Sequence, residues 1–519
     1  MQPWGPMEIP AGRDGISRMK NPSLVRPSHL AHADSVIADR FMFEKMPGAA
    51  KINTVALSGD VTGHHDFIYG VPTLLQELVA VVDNGATSDL VTVDGAGVVA
   101  TLKSGMASGG FPWFVEGWDG TQKVLYYFNS IVIPQVYTGG GGASSNIPSQ
   151  PVDWATYVPT AAATTKTRMI AWGNKNFPHT LYLTVPGSHS DFKGGESAAE
   201  IMYPGIGQRI TAGISFKERF YVGKYPTGIV YLDESDPSIA NWTREIVTQA
   251  VGLSGPGCWV DIGDDVLILS TDGYFYLLSQ VRTQGQAEVP PFMPQETGDF
   301  LKENINLSYL HLVRSVWFGH KRQAWFAVPQ AESTTCDAWI IIDLNETGNP
   351  KLLWSTRDVC LSVAMRKGSV TAVAKPSFGD ADGFIWQGDQ VARNKGGEAY
   401  SAQYETVPVA VMPGAIQRAN LAELQVVMEP SGNYDLELEV LRDGVPSQLL
   451  TYSMQTPGAG SGSISLDSDV IAGQTIATVR HRLEGDCRYI KLIGRNENED
   501  ENFAVASHIV RAEPGNERA

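Results

Sequence analysis

Cysteine is scarce. Cys258, Cys336, Cys360 and Cys487 are the only four in 519 residues, and none stands at metal-ligand spacing from another. That excludes a disulfide framework or a zinc module and predicts buried free thiols, as suits assembly in a reducing cytoplasm. Charge is also low, at 18% of residues, and what there is leans acidic, with 56 Asp and Glu against 39 Lys and Arg for a net charge of −17. A protein that grips nucleic acid needs a basic surplus to neutralise phosphates, so this balance argues against that class. A negatively charged surface is still compatible with DNA moving past it. No apolar run reaches 18 residues, which predicts no membrane-spanning helix. The opening "MQPWGPMEIPAGR" lacks a basic segment followed by an apolar core, which predicts no secretory signal.

What the chain has in abundance is breakers, with 53 Gly and 30 Pro, beside an ordinary folded hydrophobic content of 43%. From about Asn53 to Asp389 the apolar residues fall in short runs bounded by Gly, Asp, Asn and Pro. "QELVAVVDNG" turns at Asp83-Asn84-Gly85, and "DLVTVDGAGVVATLKSG" turns at Asp94-Gly95. Asn-Gly and Asp-Gly tolerate the positive φ of tight hairpin turns. "TLLQELVAVV" (73–82) fits helix or strand by pattern, and its second half reads better as strand. Polar loops ending in Trp recur at Trp154, Trp242 and Trp354, the first two 88 residues apart and the last two 112. The first spacing equals about two blades of a β-propeller at ~40–45 residues each. The second contains the Pro-rich insert "TQGQAEVPPFMPQETGDFLKEN" (283–304). "LSTDGYFYLL" and "GDADGFIWQGD" form a second, degenerate echo. Past Tyr400 the strands lengthen, and "YDLELEVLRDG" alternates as a half-buried antiparallel strand does.

These patterns predict an all-β protein: a propeller of roughly five to seven blades over 51–400, an extended arm over 1–50, and a C-terminal β-sandwich-like domain over 401–519. The glycine loop "TGGGGASSNIPSQP" (138–151) reads as flexible and exposed. Its Gly139, Gly140, Gly141 and Gly142, with Pro290, Pro291 and Phe292 of the insert, are candidates for an interface or gating loop.

Catalytic motifs are missing. The sequence has no P-loop, dinucleotide fingerprint, nucleophile elbow or HExxH helix. His64 and His65 are neighbours, and on a strand they point to opposite faces, so they are not expected to share a metal. "DADG" (380–383) opens like a calcium loop but lacks the downstream Glu, so it reads as a β-turn. "STDGYFYL" only partly matches the Asp-box of sialidase-type propellers, although paired carboxylates could still come from distant loops. The expectation is no turnover chemistry, no cofactor and no metal.

The most specific stretch is "GISRMKNPSLVRPSHLAHADSVIADRFMFEKMPGAAKIN" (15–53). Gly15-Ile16, then Asn21-Pro22-Ser23, then Leu24 with Pro27 and Leu30, and finally Lys45-Met46-Pro47-Gly48 resemble the start of tailed-bacteriophage nozzle or tail-hub proteins of the short-tailed type. The loop "SDPSIANW" ending at Trp242 resembles that family's Asp-Pro-x-x-x-x-Trp loops. The step "ADSVIADRF" (33–41) departs from the family's pattern. The resemblance implies a virion structural protein. Copies of it, six in that family, would form a ring or tube through which double-stranded DNA leaves without specific binding. Contacts with tail adaptor and tail fibre or spike proteins, and assembly in the host bacterial cytoplasm, are implied with it. Ile16, Asn21, Pro22, Leu24, Pro27 and Leu30 are then candidate assembly-arm residues, with the arm tying its own propeller or reaching a neighbouring subunit. Two alternatives stay open: a glycan-binding or glycan-degrading tail protein, and a protein-binding propeller scaffold.

Overall fold

The computed structural model describes residues 6–10, 15–17, 26–39, 42–234, 236, 238–284, 289–345, 350–412, 418–429, 431, 434–454, 467–471 and 474–514. Seven antiparallel sheets follow one another along the chain, and their inner strands are Asp60–Tyr69, Trp113–Trp118, Ala161–Thr164, Arg209–Phe216, Trp259–Asp261, Arg314–Phe318 and Ser362–Lys367. Six sheets have four strands and the fifth has three. Each inner strand, or the turn that leads into it, packs against the next, and the seventh packs against the first. The ring is therefore closed, and the fold is a β-propeller with blades 1 to 7 in chain order. Closure explains the sequence pattern: sheet faces are covered by neighbouring blades, so strands such as Val266–Leu269 and Gln323–Val328 are buried at every residue.

The chain divides into two compact units, one of residues 50–339 and 358–388, the other of 1–49, 340–357 and 389–519. In the first, the hairpin turns fall where the Asp-Gly and Asn-Gly pairs predict. Leu75–Asp83 is strand throughout. "DADG" is a turn whose Asp380 accepts from the backbone N–H of Asp382 and Phe384 and from Trp386 Nε1 at 2.6 Å. Asp272 holds the equivalent turn in blade 5, accepting from the N–H of Tyr274 and the hydroxyl of Tyr276. The Trp repeat is less regular than its spacing suggests. Trp242 immediately precedes the outer strand Arg244–Thr248 of blade 4, and Trp354 lies in Lys351–Ser355 of the sixth sheet. Trp154 instead sits in a 3-10 turn, Val152–Ala155, after blade 2 has ended.

The insert after blade 5 is helical, which its prolines and charges concealed. The helices α1 (Leu278–Gln284) and α2 (Gln295–Asn304) follow the third strand of that blade. Gly298 of α2 lies so close to the Tyr274 ring that any Cβ would collide with it, and Lys302 Nζ sits 3.8 Å over the same ring.

In the second unit the arm does not stand free. Met7–Pro10 pairs with the last strand, Ala504–Pro514, and so does Met42–Lys45. Leu30–Asp34 pairs with Ala402–Thr406. These strands belong to two sheets whose facing side chains meet: Tyr404 of one hydrogen-bonds His508 of the other at 3.0 Å. Leu436, Leu438 and Val440 point inward, as their alternation predicts. An extended segment with apolar anchors and no core of its own needs a sheet to cover it, and here its own chain supplies two.

Ring closure is sealed by a polar stitch. His64 is buried, with Nδ1 2.7 Å from Ser362 Oγ and Nε2 2.8 Å from Ser377 Oγ, both in blade 7. Neighbouring His65 faces the other way, to Glu116 of blade 2 at 3.1 Å. The two histidines thus serve opposite seams. Burial pushes the His64 imidazole down from 6.5 to about 3. The unfolded chain takes that proton near 6.5, so the stability contributed by neutral His64 is full above about pH 6.5 and is lost as pH falls toward 3. His64→Gln should cost about 1–3 kcal/mol at pH 7.5 through the lost hydrogen bonds. Urea denaturation across pH 7.5 to 4 should show a shallower acid loss in this variant, flattened rather than abolished. Buried His189 and His508, each lowered to about 4, titrate in the same window.

Candidate functional site

Inner strands of a propeller run in one direction around the axis, so their first residues gather at one face. Here they surround a cavity of about 630 Å³, within the usual range for small-ligand sites. Every blade contributes to its wall: Asp60 and Thr62 from blade 1, Phe111 and Pro112 from the entry to blade 2, Thr160, Asn174 and Lys175 from blade 3. Arg209, Ile210 and Thr211 come from blade 4, Ser254 to Pro256 from the entry to blade 5, His311, Leu312 and Arg314 from blade 6, and Cys360 with Leu361 from blade 7. Close approach at the wall relies on glycine. A Cβ at Gly255 would lie 2.6 Å from the His311 carbonyl oxygen, so its absence lets blade 5 abut the segment that leads into blade 6. Thr211 Oγ donates to the Leu253 carbonyl at 2.6 Å across the seam between blades 4 and 5.

The electrostatics of the cavity run against those of the chain. Three cations, Lys175, Arg209 and Arg314, line it with one carboxylate, Asp60. Arg209 is exposed and Arg314 only 8% exposed. The Arg314 guanidinium lies 3.2 Å over the Phe111 ring, and its Nη1 is buried without a hydrogen-bond partner. Burial draws it down to about 9, still a cation at neutral pH. Asp60 is raised by partial burial and by Asp83, Asp380 and Asp382 nearby. Cys336, in the wall, is a thiol that burial pushes up to about 12. All four cysteines are free and buried, as expected. Among the described residues no group of three or more His, Cys, Asp or Glu is placed to hold a metal.

Cys336 and Cys360, read from sequence only as buried thiols, lie in this wall, and none of the described candidate arm, interface or gating residues does. Ile16 and Leu30 are buried in the second unit, joined through their backbones, with Ser17 N–H to Leu30 O at 2.9 Å. Pro27 is exposed, while Asn21, Pro22 and Leu24 lie outside the described residues. Pro290 to Phe292 cross between α1 and α2, tied by Phe292 N–H to the Phe275 carbonyl at 2.7 Å. The glycine loop is not the loose segment its composition implied. Tyr69 and Tyr137 both donate to the Glu77 carboxylate, and their hydroxyls accept from the N–H of Gly140 and Gly141, each at 2.8 Å. Burial, then Glu77, raises the Tyr137 phenol above its ordinary range. Tyr69 ends the strand whose Asp60 and Thr62 line the cavity, so this loop lies roughly 20 Å or more from the wall at ~3.3 Å per residue. Phe111, Arg209 and Arg314 went unnoticed because seven strand starts, dispersed over some 300 residues of sequence, build the wall. A lone arginine opening the apolar strand "RSVWF" was the one available signal.

No family model matches the sequence, nor does any curated protein. Among solved structures, the computationally designed Ika8 protein is 10% identical over 72% of this chain and all of its own, with a TM-score of 0.34. The WD40 domain of Toxoplasma gondii coronin is 8% identical over 69% of this chain and 87% of its own, at 0.38. An exo-β-1,3-galactanase from Phanerochaete chrysosporium is 8% identical over 90% of this chain and 100% of its own, at 0.27. Likeness at this level carries no functional argument, and the propeller is established by its own strand order and closure.

The glycine loop yields a graded test. Gly139 has φ +91°, and a Cβ there would collide with the Tyr69 ring, whereas at Gly142 a Cβ meets open space. Gly139→Ala should destabilise the chain by about 1–3 kcal/mol, and Gly142→Ala by no more than about 0.5 kcal/mol, read as shifts in chemical denaturation midpoint.

Proposed function

We propose that the chain is a structural subunit of a bacteriophage tail, of nozzle or hub type, that assembles with copies of itself and acts through its surfaces rather than by turnover. The observation that carries this reading is the turn Lys45-Met46-Pro47-Gly48, part of the stretch that resembles the nozzle family. Lys45 is buried, donating to Asn496 Oδ1 at 3.0 Å and to the Asn498 carbonyl at 2.7 Å. Burial draws its ammonium down to about 8. The Met46 carbonyl accepts from the Tyr400 hydroxyl, and the Pro47 carbonyl from Arg357 Nη1 at 2.7 Å. A Cβ on Gly48 would collide with the carbonyl oxygens of Ala392 and Asn394. The side chain of Lys45 and the missing Cβ of Gly48 are thus fixed by their surroundings, which supports reading the motif as more than a chance match. Gly15 fits too: φ is +81°, and a Cβ would lie 3.0 Å from the Leu352 backbone N.

The propeller centre is not the conduit in this reading. Its cavity of about 630 Å³ is far too small for a duplex whose major groove alone is about 12 Å wide. A channel for DNA would lie between copies, and the acidic balance of the chain would keep phosphates from adhering to its wall.

Light scattering over a concentration series, with negative-stain images of the same sample, tests the proposal. The expected result is rings or short tubes of about six chains, each of 56.2 kDa. A single-chain mass at every concentration, with no rings, would overturn the assembly claim in favour of a monomeric carbohydrate-active or scaffold propeller.

A further inference from the structure

We propose that the cavity at the centre of the seven blades binds a small organic carboxylate of sugar size, held through Arg314. The proposal does not rest on the assembly reading, and either can fail alone. Its foundation is an unbalanced charge. Arg314 is 8% exposed, its Nη1 has no hydrogen-bond partner, and no acid pairs with it among the described residues. Taking a cation out of water without a counter-charge is costly. The Phe111 ring 3.2 Å away offsets part of that cost but accepts no hydrogen bond of normal strength. An anion supplied from solvent completes the site, because a guanidinium matches a carboxylate with two parallel donors.

The rest of the wall narrows the ligand. Lys175 and Arg209 add two cations to the lining, which favours entry of an anion. Asp60 lines the same cavity, close enough to Asp83, Asp380 and Asp382 to be raised by them, and such acids oppose a dianion more than a monoanion. Phe111, Ile210 and Leu312 give carbon surface, while Thr62 and Ser254 give hydroxyls. An inorganic ion would leave the apolar wall and most of about 630 Å³ unused. A single carboxylate on a hydroxylated carbon frame uses all three kinds of wall.

Titration calorimetry on the full chain with D-galacturonate, D-galactose and inorganic phosphate, at matched ionic strength, decides the matter. Galacturonate should bind saturably and at least about tenfold more tightly than galactose or phosphate. Arg314→Gln should weaken galacturonate about tenfold or more, the range of a lost charge-assisted hydrogen bond. The double variant Arg209→Ala/Lys175→Ala should weaken it a few-fold at low salt and less at high salt. Equal binding of galactose would overturn the proposal, because the carboxylate would then be irrelevant. Phosphate binding as tight as galacturonate would replace it with an inorganic-anion site, and no saturable binding would remove it. Should Arg314→Gln fail to fold, the exposed double variant decides: unchanged galacturonate affinity at low salt refutes a cationic site.

Discussion

Closure of the ring is the constraint on which the propeller depends. Seven sheets can bury their faces only if the last meets the first, and that seam joins strands some 300 residues apart in sequence. The contact is not left to apolar packing alone. His64 bridges Ser362 and Ser377 from the first inner strand, and Gly379 admits the Val61 side chain where a Cβ would lie 2.6 Å from it. A buried imidazole with both nitrogens engaged specifies one register, since sliding the strand by a residue would turn His65 to the blade 7 seam and His64 to that of blade 2, away from both serines. The same closure gathers the strand starts that make the cavity, so the site is a by-product of architecture before it is anything chemical.

Much of the fold was legible in the sequence because it is local. Asp-Gly turns, the period-2 alternation of Leu436, Leu438 and Val440, and the strand reading of the second half of "TLLQELVAVV" depend on neighbours within ten residues. The opposed histidines follow from strand geometry alone. The blade number was only bracketed, since Trp154 mimics a repeat position it does not occupy. The helices α1 and α2 were obscured by the proline-rich crossing between them. Composition misled most at the glycine loop. Four consecutive glycines read as slack, yet two of their N–H groups are held through tyrosines to Glu77, a residue more than 60 positions earlier. The cavity was illegible for the same reason in stronger form: no window of sequence contains two of its walls.

The charge distribution separates surface from interior purpose. A net charge of −17 spread over the chain governs solubility and long-range repulsion. It gives no hint of a cationic cavity, because three basic residues among 39 do not shift a total. Low net basicity argues against a broad nucleic-acid surface and is silent about a site the size of one ligand.

The pairing of Met7–Pro10 with Ala504–Pro514 has a consequence in time. A ribosome adding about 5–20 residues per second needs roughly 25–100 s to make the second strand after the first. Throughout that interval Met7–Pro10 has no partner strand, while the blades can close one after another behind it. Synthesis therefore imposes an order in which the sandwich is completed last. A nascent chain stalled before residue 504 would carry Met7–Pro10 as an orphan strand, the kind that recruits other chains. Production at low temperature, or with a holdase present, should matter more for this protein than its soluble composition suggests.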